Sequence, residues 1–205
     1  MNTEQTQVNL LVVKVFDSLG IPHFLCGSMA SSIHGVYRAT ADADFVAAVR
    51  PHHAVPLTDL LKSAFYADAS AIRTAAEQGR SFNVIHLETM LKVDVFALRP
   101  EPFHMTQMRR RILQPIGPQD APALYVASAE DTILAKLQWY REGGEVSDRQ
   151  WRDVLGVLKV QGNLLDRSYL RDWARDLGLT DLLLRALDDA GLLPPPDGGR
   201  GMQKK

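Results

Sequence analysis

The chain predicts an α+β protein, with strands and helices interspersed over residues 1–122 and helices alone in 123–193. Three observations carry this expectation. Apolar residues recur at helical spacing near the start, two β-rich segments flank a short turn at 88–90, and the regular segments beyond Pro122 all have the helical period.

Val8, Leu11, Val12, Val15, Phe16 and Leu19 define a first amphipathic helix, stopped by Gly20 and Pro22. His23–Cys26 reads as a short buried strand, Ser28–His34 as a short helix ended by Gly35, and Ala43–Val49 as a second strand. Leu57–Phe65 returns to a helical pattern. Ser81–Leu87 and Leu91–Leu98, parted by Glu88, Thr89 and Met90, predict a hairpin in which Lys92, Asp94 and Phe96 share one face. The proline-rich Gln114–Pro122 reads as a domain boundary. Ser128 then caps a helix through Trp139, with Glu130 and Asp131 in its first turn where they suit the helix dipole. Helices follow near Asp148–Val160, Asp166–Leu177 and Thr180–Ala190, and the tail from Pro194 is expected to be disordered.

With 46% hydrophobic and 23% charged residues over 205 positions, the composition is that of an ordinary globular chain. A net charge of −1 supplies no overall pull toward nucleic acid or anionic membrane. Cys26 is the single cysteine, so no intramolecular disulfide forms, and its apolar surroundings mark it as a buried small hydrophobe. The N-terminus lacks a signal-peptide layout and no apolar run is long enough to span a bilayer, so the expected location is the cytoplasm.

The chemistry is concentrated around Asp42 and Asp44. Two carboxylates one residue apart on a strand point the same way and can hold one hard cation between them. Upstream, Gly27-Ser28 enters a helix and offers backbone N–H groups to a phosphate. Asp94, on a later strand, adds a third carboxylate, either as a metal ligand or as a general base. Such a set suits Mg²⁺, or Mn²⁺ in its place, bound together with a nucleoside triphosphate.

Gly27-Ser28, the spacing to Asp42-Ala43-Asp44 and the later Asp94 resemble the nucleotidyltransferase fold of the DNA polymerase β superfamily. With Gly35, Arg38 and Thr40 included, the string looks like the abortive-infection AbiEii-type toxins and related small bacterial nucleotidyltransferases. This resemblance implies a small mixed sheet flanked by helices, with a helical C-terminal lobe closing over the nucleotide. It places Gly27 and Ser28 on the triphosphate, with Arg38 and Thr40 nearby. Asp42, Asp44 and Asp94 fall on the metal, and Lys136 faces the site from the C-terminal lobe. It also implies a toxin or a relative of one, with a cognate antitoxin as partner.

Several of these residues have plainer uses. Arg38 contacts phosphate or pairs with an acid near the sheet. Asp148, Arg149, Arg152 and Asp153 read as ion pairs on a helix surface, with orientation of Lys136 or of the acceptor as their other use. Lys136, read alone, is a solvated helix residue. Arg109-Arg110-Arg111 is a solvated helix end or a contact for RNA phosphates. Trp139, Trp151 and Trp173 are expected to fill the core of the helical part. His52 and His53 face different ways, and His34 is expected to be packed.

The expected function is Mg²⁺-dependent transfer of a nucleotidyl group from a nucleoside triphosphate to a hydroxyl on RNA, a protein or a small molecule. The alternative is a catalytically degenerate binding module for nucleotide, RNA or protein. A phosphotransferase or hydrolase using the same acids is a third reading, but the chain has no Walker-type phosphate loop.

Overall fold

A computed structural model of the chain describes residues 3–116 and 122–193. Residues 117–121 and 194–205 lie outside the described residues, and with them the middle of the Gln114–Pro122 stretch and the tail from Pro194.

The protein is α+β, built on a seven-stranded mixed sheet. The strands are β1 (His23–Cys26), β2 (Ala43–Ala47), β3 (Phe65–Tyr66), β4 (Ser81–His86), β5 (Lys92–Ala97), β6 (Ile112–Pro115) and β7 (Ala123–Val126), in the order β3-β4-β5-β2-β1-β7-β6. Pairing is antiparallel except between β2 and β5 and between β1 and β7. The period of two sorts each central strand into two faces. Phe45, Ala47, Val93 and Val95 point into the larger core, while Asp44, Val46, Asp94 and Phe96 line the other face.

Helices α1 (Thr3–Ser18), α3 (Ala54–Leu61) and α4 (Ala69–Gln78) cover the first face. They contribute Val12 and Phe16, Leu57 and Leu61, and Ile72 and Ala75 to its core. Each such fully buried aliphatic or aromatic side chain contributes about 1.5–3 kcal/mol. A second core joins α6 (Ala129–Glu142), α7 (Asp148–Gln161), α8 (Arg167–Asp176) and α9 (Thr180–Asp189) with Phe103 of α5 (Pro102–Arg110). No helix of the described residues is long and apolar enough to cross a membrane.

The short helix α2 (Gly27–His34) joins the two layers. His34 Nε2 lies 2.7 Å from the Ala127 carbonyl, and Gln161 Nε2 donates to the His34 carbonyl at 2.7 Å. Gly35 then packs backbone to backbone on α7, where an added Cβ would lie 2.7 Å from both the Gly156 carbonyl carbon and the Val157 nitrogen.

Some expectations need correction. The helix expected over Leu57–Phe65 ends at Leu61, because Phe65 and Tyr66 pair with His86 and Ile85 as an edge strand. The break expected at Gln114–Pro122 begins on one strand and ends beside another that pairs with it. Gln114 faces Leu124 and Pro115 faces Ala123, so 123–126 belongs to the sheet and the helical part begins at α6. Pro115 is tolerated there because β6 is an edge strand. Of the tryptophans, Trp151 and Trp173 pack on the helical core, whereas Trp139 turns to the sheet with its ring 5.7 Å from Phe96.

The glycine contact predicts the effect of Gly35→Ala. The extra methyl has no room to move into, so the variant should lose about 1–3 kcal/mol in denaturant unfolding. An unchanged midpoint and slope would contradict this packing.

Candidate active site

Strand register places the acids. Asn83, Asp94, Asp44 and Cys26 form one row across β4, β5, β2 and β1, and Ser81, Phe96, Val46 and Phe24 form the next. Asp42 precedes β2 by one residue, is exposed, and lies close enough to Asp44 for their charges to repel.

Gly27 makes this row possible. Its φ of +61° turns the chain from β1 straight into α2, a conformation that glycine adopts without cost. A Cβ on Gly27 would lie 2.8 Å from Asp44 Cγ, and closer still to Oδ2. The Ser28 backbone N–H donates to the Asp44 carboxylate. Burial first, and repulsion from Asp94 next, push the Asp44 carboxyl up to about 6 from its ordinary 3.8, with Lys136 and the Ser28 N–H pulling it down. Asp94 is paired with Lys92, whose Nζ is 2.8 Å from Asp94 Oδ2.

A second set of contacts crosses from the sheet to the helices. Arg38 donates Nε and Nη2 to the two oxygens of Asp153 at 3.2 and 3.0 Å, and Nη2 also reaches Ser28 Oγ at 2.8 Å. Lys136 Nζ lies 2.8 Å from the same Asp153 and donates to Gln150 Oε1 at 3.0 Å. Burial tends to raise the Asp153 carboxyl, but Arg38 and Lys136 outweigh it and hold the group below its usual range. Burial lowers the Lys136 ammonium, against the pull of Asp153.

Between the sheet row and α6 lies a cleft of about 460 Å³. Phe24, Val46 and Phe96 line it from the sheet and Trp139, Lys136 and Phe103 from the helices, with Gly27 at the start of α2. Asp44 and Asp94 precede the lining residues Val46 and Phe96 by two positions on the same sheet face, so the acid pair lies one row beyond the cleft, whose lining it does not itself form.

The sequence-marked residues are thus brought together unequally. Gly27, Ser28, Asp42, Asp44 and Asp94 are neighbours, and Lys136, buried rather than solvated, acts on Asp44 and lines the cleft together with Gly27. Arg38 takes an acid as its partner. Thr40 is half-buried, donates to the Asp42 carbonyl at 3.4 Å and lines a second, smaller cavity with Arg38. Asp153 is not a helix-surface ion-pair member, and among the described residues Asp148, Arg149, Arg152 and Asp153 form no ion pair with one another. The arginine run is not a free basic patch either: Arg110 pairs with Glu130 at 3.2 Å and stacks on Tyr169, and Arg111 lies over Tyr125. Lys92 and Gln150 are site residues that residue type alone did not mark. Lys92 was findable as the same-face neighbour of Asp94, two positions before it.

Among the described residues no three His, Cys, Asp or Glu side chains form a ready cation cage. The donor set nonetheless fits a divalent ion of the Mg²⁺ kind, which commonly takes one or two carboxylates and completes its shell with substrate phosphates. Among the described residues Asp44 has no ion-pair partner; burial and then a neighbouring carboxylate raise it, and a cation would relieve that repulsion. Cys26 is a poor nucleophile, since burial and Asp44 raise its thiol well above the ordinary value.

The shift at Asp44 carries a stability signature. The folded protein keeps the Asp44 proton up to about pH 6, whereas the unfolded chain releases it near 3.8, so stability from this group falls as pH rises through that window. Asp44→Asn should therefore match wild type near pH 4 and exceed it increasingly toward pH 7 in urea unfolding with EDTA present. A difference independent of pH would contradict the assignment.

No protein-family model and no curated protein matches the chain. Solved structures do. An antigenic nucleotidyltransferase-like protein from Paracoccidioides brasiliensis aligns with a TM-score of 0.55 at 16% identity, over 92% of this chain and 94% of that one. The solution structure of the antibiotic-resistance factor ANT(2'')-Ia aligns at 0.51 with 12% identity, over 93% and 96%. The crystal structure of ANT(2'')-Ia in complex with adenylyl-2''-tobramycin aligns at 0.52 with 12% identity, over 85% and 98%. At such identities the likeness is one of architecture, and the architecture is the nucleotidyltransferase fold.

Proposed function

We propose that the protein transfers a nucleotidyl group from a nucleoside triphosphate to the hydroxyl of a small molecule. The observation that carries this reading is the row of Asp94 and Asp44, level across β5 and β2, with the start of α2 seated against Asp44. Asp42, Asp44 and Asp94 would hold Mg²⁺ with the triphosphate. The Gly27-Ser28 helix start would receive phosphate oxygens. When bound, the ion neutralises the phosphates and stabilises the leaving pyrophosphate.

The acceptor oxygen attacks the α-phosphorus, the bond to the bridging oxygen of the β-phosphate breaks, and pyrophosphate leaves. The proton of the hydroxyl passes to a carboxylate of the row. Lys136, fixed by Asp153 and Gln150, holds a positive charge beside Asp44 and on the lining of the cleft. The aromatic walls and the volume of about 460 Å³ suit an acceptor of drug-like size. In the ANT(2'')-Ia complex the bound molecule is an adenylylated antibiotic, which supports this acceptor class. The toxin expectation drew on Gly35, Arg38 and Thr40; Gly35 and Arg38 join the two layers here, and the proposal stands without it.

Incubation with each α-³²P-labelled nucleoside triphosphate, Mg²⁺ and a panel of hydroxyl-bearing small molecules and RNA should give labelled product and pyrophosphate. Asp42→Ala and Asp44→Ala should each lower the rate at least about 100-fold. Equal transfer by wild type and both variants would overturn the reading, and label appearing only on RNA would overturn the acceptor class.

A further inference from the structure

Among the described residues, the cation in closest contact with the acid row is Lys92. It precedes Asp94 by two residues on β5 and so lies on the same face, with its Nζ 2.8 Å from Asp94 Oδ2. Its charge also reaches Asp42 and Asp44. Lys136 cannot substitute for it, because that ammonium is buried and bonded to Asp153 and Gln150. The Lys92 side chain is 41% exposed, so its stem can swing, and an ion pair so open to water separates at little cost.

The oxygen that Lys92 holds is one that a divalent ion at the row would need. We infer that Lys92 is a built-in counter-cation, which occupies Asp94 until a divalent ion arrives already bound to a triphosphate. Without nucleotide, an entering ion must displace the ammonium or do with Asp42 and Asp44 alone. An ion carried by a triphosphate brings phosphate oxygens of its own and is less dependent on Asp94 at first contact. Once displaced, the ammonium stands beside the incoming phosphates, where its charge is again matched. Lys92 is thus a positioning residue that acts through Asp94 and sets the order in which cation and nucleotide enter. The inference rests on the nucleotidyl-transfer reading only in taking Asp94 as a cation ligand.

The test is a titration of the nucleotide-free protein with Mn²⁺, followed by the electron paramagnetic resonance signal of the free ion. Wild type, Lys92→Met, Lys92→Arg, Asp94→Asn and the Lys92→Met/Asp94→Asn pair are compared after circular dichroism confirms folding. Lys92→Met should bind Mn²⁺ at least about threefold tighter than wild type, as expected when a like charge beside the ion is removed. Lys92→Arg should behave as wild type, and most of the gain should vanish on the Asp94→Asn background. Binding by Lys92→Met that is no tighter than wild type, including no binding by either, overturns the inference. An undiminished gain on the Asp94→Asn background does so too, since Lys92 would then act as a general field. Failure of the nucleotidyl-transfer reading shows separately, as label transfer indifferent to Asp42→Ala and Asp44→Ala.

Discussion

The site depends on how close the Asp44 carboxylate stands to Gly27. Strand β1 ends, α2 begins and the carboxylate of the neighbouring strand arrives in the same few ångströms, which is possible only where the chain turns through a positive φ and carries no side chain. That approach puts a helix N-terminus, whose Ser28 N–H donates to Asp44, beside two carboxylates that repel each other. A group of this kind is unfavourable when left alone and favourable once a cation and an anion are added together. Metal-bound triphosphate supplies both.

The second constraint is Asp153. One carboxylate receives Arg38 from the loop after α2 and Lys136 from α6, so the two layers share a single anion. Losing one partner of a buried ion pair of this type costs about 3–5 kcal/mol, because the remaining charge is stranded. The direct contact of Gly35 with α7 and the Gln161 bond to His34 reinforce the same junction. Together they fix the width of the cleft and with it the distance from α6 to the acid row.

Much of this was legible in the residues. The period-two pattern of 91–98 put Lys92, Asp94 and Phe96 on one face, and the structure keeps them there. The spacing from Gly27-Ser28 to Asp42 and Asp44 marked residues that the structure places as neighbours. Ser128 caps α6 as its position foretold. What escaped was long in range. Arg38 and Asp153 are 115 residues apart, and nothing local distinguishes Asp153 from the surface charges around it. Arg110 looked like one of three solvated cations, but Glu130 and Tyr169 lie in helices it meets only on folding. Pro115 looked like a break because an edge strand tolerates what a central one does not. Trp139 shares its helical repeat with core residues, and only the presence of the sheet opposite decides that it faces the cleft.

The central claim is that the Asp44 row is a place for a cation and a triphosphate together. Isothermal calorimetry with a nucleoside triphosphate whose α,β-bridge is methylene tests it without turnover. Binding is expected with Mg²⁺ present and should be lost with EDTA or in Asp44→Asn. Equal affinity with Mg²⁺ and with EDTA would contradict the account and mark the fold as a metal-independent nucleotide-binding module.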